Sequence, residues 1–154
     1  MDQFFTDYLG ELDAAHAAII DALDGLSVEA LDWSPAQGVN SIAVLVAHAT
    51  GAERFWIGDV ALGDLKERDR SKEFETRGLT AEQLKARVRE VGNYAHGALE
   101  RLMIVQLDHK RSARTQPDKT LTVGAALAHA IQHTSMHAGH IQLMRDWLKA
   151  QGIA

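Results

Sequence analysis

Residues Leu121–Lys149 read LTVGAALAHAIQHTSMHAGHIQLMRDWLK. The stretch contains no proline, and its apolar residues recur at helical spacing, so it predicts one long helix. It carries four of the eight histidines: His129, His133, His137 and His140. At about 100° per residue, with His133 set at zero, His129 falls near −40°, His137 near +40° and His140 near −20°. All four imidazoles project from one narrow stripe. Ala125, Ala126, Met136 and Met144 lie on or beside that stripe, which predicts that it faces the interior. Several buried imidazoles need several polar partners. A metal ion is the most economical common partner, because neutral imidazole is a ligand for zinc, nickel, copper and iron.

A single core histidine is ordinarily just a hydrogen-bonded side chain. Two at i and i+4 on an inward face are a different case, since that spacing sets both rings over one point. Both His129/His133 and His133/His137 have it, and spacing alone does not choose between them. Either pair needs a third ligand from elsewhere in the chain.

The rest of the chain supplies three further helices. Gln3–Leu23 places Phe5, Tyr8, Leu9, Leu12, His16, Ile19, Ile20 and Leu23 on one face, with Gly25 beyond its end. His16 on that face reads first as a core or pocket residue. Leu26–Asn40 is a connector, with a short turn capped by Ser27 and turn chemistry at Trp33, Pro35, Gly38 and Asn40. Trp33 either lines a pocket or plugs the end of the core. Asn40 or Ser41 caps the next helix, Ile42–Leu62, which Gly63 stops. Val44, Leu45, His48, Ala52 and Phe55 share its inward face, while Glu53, Arg54 and Asp59 fall elsewhere on the wheel. Gly63–Gly78 is charged and aperiodic and predicts a solvated loop. Thr80 with Gln83 forms a capping box opening a helix over about Ala81–Val105, with His96 off its buried seam. Gln106–Thr120 is polar, a loose hairpin or an extended loop, with His109 at the surface. Thr120 or Thr122 caps the final helix.

Four long helices predict an all-α four-helix bundle, with a long connector between the first two helices and a polar loop before the last. The 154 residues suit a single domain, residues 1–154, with 46% hydrophobic residues for its core. A net charge of −5 without a basic stripe argues against nucleic-acid binding. No apolar run is long enough to span a bilayer. The acidic, amphipathic start MDQFFTDYLGELD resembles neither a signal nor a transit peptide, which predicts a cytoplasmic protein. With no cysteine, disulfides, thiolate zinc sites and a cysteine nucleophile are excluded.

Bundle cores hold cofactor sites built from facing helices, and His48 with a pair from the last helix is such a set. HTSMH lacks the glutamate of the H-E-x-x-H protease motif, and no Glu-x-x-His occurs, so zinc-protease and di-iron patterns are absent. Three imidazoles without an obvious carboxylate match an open catalytic site, whereas a closed structural site needs four ligands.

LVAHATGAERFW around His48, the preceding WSPAQGVNSI, and HAIQHTSMHAGHIQLMRDWL around His133 and His137 resemble the DinB-like superfamily of damage-inducible and YfiT-type bundle proteins. The likeness runs over nearly the whole chain. It implies a divalent metal, often zinc or nickel, on His48, His133 and His137, and thereby selects the second pair. Many relatives have Gln where His140 stands, which implies a pocket or supporting role for His140, with a fourth ligand as the lesser alternative. His129 becomes a supporting partner or a core residue, and Trp33, Asn40 and Phe55 become candidate pocket residues. The resemblance further implies a thiol-dependent transferase or a hydrolase acting on a small molecule, with a low-molecular-weight thiol as possible cosubstrate. A non-catalytic, metal-stabilised binding or sensing protein is the alternative. Family habit, with apolar residues such as Phe4 and Val105 outside the main stripes, predicts a homodimer.

Overall fold

A computed structural model of the chain describes residues 1–112 and 117–153. Its long helices are α1 (Gln3–Ala22), α3 (Ile42–Arg54), α5 (Ala81–Leu99) and α6 (Val123–Ala150). Two five-residue helices, α2 (Val28–Asp32) and α4 (Arg70–Phe74), lie in the connectors. The caps are side-chain oxygens that accept the amides a helix start leaves unpaired. Ser41 Oγ accepts from the Val44 amide at 3.3 Å, and Thr122 Oγ1 accepts from the Ala125 amide at 3.1 Å. The Thr80–Gln83 box is complete.

The bundle is a square in which α1 packs on α5 and α6, and α3 packs on the same two. Helices α1 and α3 are therefore diagonal, as are α5 and α6. The Leu26–Asn40 connector crosses one end of the bundle, and the crossing from α5 to α6 is complete by Leu107, whose carbonyl accepts from the Gly124 amide at 2.8 Å. Only α3 to α5 joins neighbours.

Three expectations need correction. The second helix is not uniformly α-helical: from Phe55 to Leu62 it widens into a π-helix, closed at Gly63 with φ 76°. The third helix stops at Leu99, and Ile104–Gln106 form a separate 3₁₀ turn with Val105 exposed. The Gly63–Gly78 loop is not simply solvated, since α4 folds inside it and buries Glu73 to 4% exposure. The polar segment before α6 is a hairpin: β1 (Lys110–Ser112) pairs antiparallel with β2 (Thr120–Thr122). Arg114, which sequence places in the same segment, lies outside the described residues.

The core has two apolar clusters. One contains Phe5, Leu12, Ile57, Leu99 and Leu127, and the other Ile19, Leu31, Ile42, Leu84, Ile141 and Leu148. Between them along the helices lie His16, His48, Glu53, Thr134 and His137, all buried. The bundle thus has a polar layer at mid-height, between two halves that exclude water.

Candidate metal centre

The α3 face that buries Val46 and Leu45 also carries His48 inward, 9% exposed. It meets α6 where His133 and His137 stand one turn apart. The ring centroids of His48 and His133 are 4.9 Å apart, those of His48 and His137 5.2 Å, and those of His133 and His137 4.4 Å. One ring nitrogen from each of the three lies within 4.8 Å of the others. Two nitrogens bound to one tetrahedral zinc ion at about 2.1 Å stand about 3.4 Å apart, so the rings must close by at most about 1.4 Å to coordinate.

The three rings differ in their supports. His48 Nδ1 donates to Glu73 Oε2 at 3.0 Å, which leaves Nε2 to face the other two histidines. Arg68 grips the same carboxylate twice, from Nε to Oε1 at 2.6 Å and from Nη2 to Oε2 at 2.8 Å. Burial raises the Glu73 carboxyl, but the bonds from His48 and Arg68 outweigh it and hold it below the ordinary glutamate value. A carboxylate fixing the second nitrogen of an imidazole is the usual support of a metal-ligating histidine. A side chain at Gly51 would overlap Glu73, so a glycine in mid-helix is what admits that carboxylate.

His133 and His137 have no such support. The Nδ1 atom of each is enclosed and without a hydrogen-bond partner. Burial, then the positive charge of neighbouring imidazoles, lowers both to about 4. Near neutral pH both rings are uncharged, the form that offers a lone pair to a cation. Neutral rings crowded around a third imidazole, with enclosed nitrogens unpaired, fit a divalent ion.

The histidine stripe does not face wholly inward. His137 is 7% exposed, His133 is half-buried, and His129, His140, Ala125 and Met136 are exposed. The stripe lies along the edge of α6 where core meets solvent, so the trio is reached from outside. His129 packs against Trp56 at 4.3 Å with the two rings tilted by 53°, and lies 5.8 Å from His133, while His140 is 5.5 Å from His137. Phe74 covers His48 at 4.9 Å.

The remaining candidates lie elsewhere. Trp33 packs edge-on against Trp147 at 5.2 Å, at the end of the bundle. Asn40 is half-buried just before the Ser41 cap. Phe55 lines a cavity on the α5 side of α3. His96 pairs with Asp13 at 2.9 Å and His109 is exposed. His16 bonds Glu53 at 2.8 Å, and Thr134 donates to the same Glu53 oxygen at 2.9 Å. Glu53, placed off the inward face by its wheel position, is only 1% exposed. The sequence reading missed Glu73, Arg68 and Phe74. The one signal for them is local: Asp69 caps the Lys72 amide at 3.3 Å, the mark of a short helix inside RDRSKEF.

A family model described as the DinB superfamily matches residues 11–141. A solved structure of a conserved protein from Enterococcus faecalis is 18% identical, covering 94% of this chain and 96% of its own, with a TM-score of 0.74. YfiT from Bacillus subtilis, described as "a probable metal-dependent hydrolase with an unusual four-helix bundle topology", is 14% identical, covering 100% of this chain and 91% of its own, with a TM-score of 0.75. At these identities the likeness is one of fold. No curated protein matches the chain.

Proposed function

As the chain belongs to the DinB superfamily, we propose that it is a metal-dependent enzyme whose divalent ion, zinc or nickel, is held by His48, His133 and His137. The observation that carries this reading is the convergence of three ring nitrogens within 4.8 Å, two of the rings having an enclosed, unpartnered Nδ1. The metal-dependent activity ascribed to YfiT, which shares the fold, supports it. When bound, such an ion supplies a Lewis acid that lowers the pKa of a water or thiol, or polarises a carbonyl.

The chain's own residues set the stage for that chemistry. Glu73 fixes the orientation of His48 and its tautomer, and Arg68 keeps Glu73 ionised as an acceptor. His133 and His137 stay neutral through burial. Trp56 and Phe74 flank the histidines and limit water at the site. His129 and His140, exposed on either side of the pair, are placed to exchange protons between solvent and a bound small molecule. Because the chain has no cysteine, a thiol would arrive as a low-molecular-weight cosubstrate. The reaction class is thus a hydrolysis or a thiol-dependent transfer on a small molecule. We place this activity in a single domain, residues 1–154, of a cytoplasmic homodimer. No helix among the described residues is long and apolar enough to cross a membrane.

The second reading is a metal-stabilised protein that binds or senses a small molecule without turnover. It is favoured by the engagement of Glu73, which leaves the one carboxylate touching His48 unavailable as a general base. Protein loaded with zinc or nickel separates the two. Turnover of an ester, or of an electrophile supplied with a small thiol, that disappears with the metal supports the enzyme. One equivalent of metal without turnover supports the binder, and no metal bound overturns both.

A further inference from the structure

The three histidines are not the only place where the fold leaves polar groups without partners. On the opposite side of Glu73, between the α3–π-helix wall and α5 and beneath the 66–76 segment, is a cavity of about 840 Å³. It contains none of the histidines, and of the groups that support them it shares Glu73 and Arg68. One wall is the π-helix, a geometry that recurs at functional sites.

The charged groups of this cavity sort by whether they are already neutralised. Arg68 is paired with Glu73, Lys72 with Asp69, and Lys66 with Glu90, while Glu67 is exposed to solvent. The arginine–carboxylate pairs among the described residues are Arg68–Glu73, Arg89–Glu82 and Arg101–Asp64, so Arg54 and Arg87 stand outside them. Both line the cavity. Arg54 is not loose: it lies 3.7 Å over the Tyr94 ring and donates to the Asp64 carbonyl at 3.3 Å. A side chain at Gly58 would overlap the Arg54 guanidinium, so this helix position is kept bare for it. Arg87 is held by its bond to Thr50 Oγ1 at 3.1 Å. Asp59 lines the same cavity, is 8% exposed, and has an enclosed Oδ1 with no partner. Phe55 and Val91 supply apolar wall.

Arg54 and Arg87 are held in place without a carboxylate partner among the described residues and can take an anion, and the buried Asp59, with its Oδ1 unpartnered, calls for a donor. We propose that this cavity binds a small amino-acid-like zwitterion with an apolar side chain, its carboxylate meeting Arg54 and Arg87 and its ammonium meeting Asp59. The site needs no metal, and although Glu73 and Arg68 border it, its three proposed contacts are none of the groups that hold or orient the ion.

L-phenylalanine is the probe, titrated into the full-length protein with and without zinc, and read from the backbone amide resonances of Gly51 and Gly58. Its two halves are removed in turn by L-phenylalaninamide, which lacks the carboxylate, and 3-phenylpropanoate, which lacks the amine. L-phenylalanine should give saturable shifts at both glycines, and each analogue should bind at least roughly tenfold more weakly, the loss of one charge-assisted contact. Arg87→Gln, at an exposed helix position, should weaken L-phenylalanine by a similar factor, and so should Asp59→Asn. No saturable shift at either glycine overturns the proposal. So does an analogue that binds as tightly as the zwitterion, or an Arg87→Gln protein that binds it undiminished.

Discussion

Glu73 Oε2 lies 3.0 Å from His48 Nδ1 while Arg68 holds both oxygens of the same carboxylate, so a residue of the charged connector orients an imidazole of the bundle core. Replacing Glu73 by Ala strips His48 of its acceptor and leaves Arg68 unpaired. Metal affinity should fall about 10–100-fold, the range for loss of such a support. Glu73→Gln keeps an acceptor but not its charge and should fall between Ala and wild type. Competition against a chelator of known affinity measures both. Neighbouring Glu67→Ala, at an exposed position, should leave affinity unchanged and shift stability by no more than about 0.5 kcal/mol.

Gly51→Ala tests the same relationship from the helix side. In an ordinary helix interior this change stabilises by about 1 kcal/mol. Here the added methyl overlaps the Glu73 carboxylate, which cannot swing away without breaking its bonds to His48 and Arg68. The variant should gain none of that stability and should bind metal as poorly as Glu73→Gln. Chemical denaturation and the same chelator competition read the two effects separately.

The polar layer should be sensitive to a single hydroxyl. Thr134 Oγ1 donates to Glu53 Oε2, whose partner oxygen Oε1 is enclosed and unpaired. Thr134→Val keeps the shape and removes the donor, leaving a buried carboxylate with His16 alone. The expected cost is about 1–3 kcal/mol, from urea denaturation midpoints.

What the sequence made legible was whatever depends on periodicity. The four helices follow from apolar spacing, and the adjacency of His133 and His137 follows from i, i+4 geometry. The facing of His48 toward them follows from its place beside Val44 and Leu45. What it hid were contacts between residues far apart in the chain. Nothing local marks Glu73 as the partner of His48 or Glu53 as that of His16; both look like solvent-facing charges. The outward lean of the stripe was hidden for a related reason. His129 and His140 share an angular position with His133, but how much of that arc is covered depends on how α3 and α1 pack against α6. The π-helix left no mark either, because FWIGDVAL is as apolar as a continuing α-helix.

The metal-free protein should lose stability on mild acidification. His133 and His137 are lowered to about 4 in the folded chain, against about 6.5 when unfolded. Between those values the unfolded chain binds more protons, so stability rises with pH across the window and falls as pH drops from about 6.5 toward about 4. Urea denaturation of chelator-treated protein at a series of pH values should show this slope. The His133→Gln/His137→Gln double variant should flatten it, and an unchanged slope there would assign the effect to other groups.

The ligand set itself is open to direct substitution. His48, His133 and His137 each offer one nitrogen to the same small volume, and an open site with three protein ligands keeps little affinity once one is gone. His48→Ala, His133→Ala and His137→Ala should each lose most of one bound equivalent of zinc or nickel, by mass spectrometry of the metal after desalting. His16→Ala, His96→Ala and His109→Ala should retain it, because their rings are committed to Glu53, to Asp13 and to solvent. His129→Ala and His140→Ala should also retain the metal, while altering any turnover that depends on proton exchange. Since the ion binds only the folded chain, chelation should lower the melting temperature of the wild type and leave that of His133→Ala unmoved. His133 and His137 resist protonation in the folded chain, so proton competition at these two ligands should set in only as pH falls toward about 4. A His133→Ala protein that keeps a full equivalent, while His129→Ala or His16→Ala loses it, would move the site to a different set of histidines.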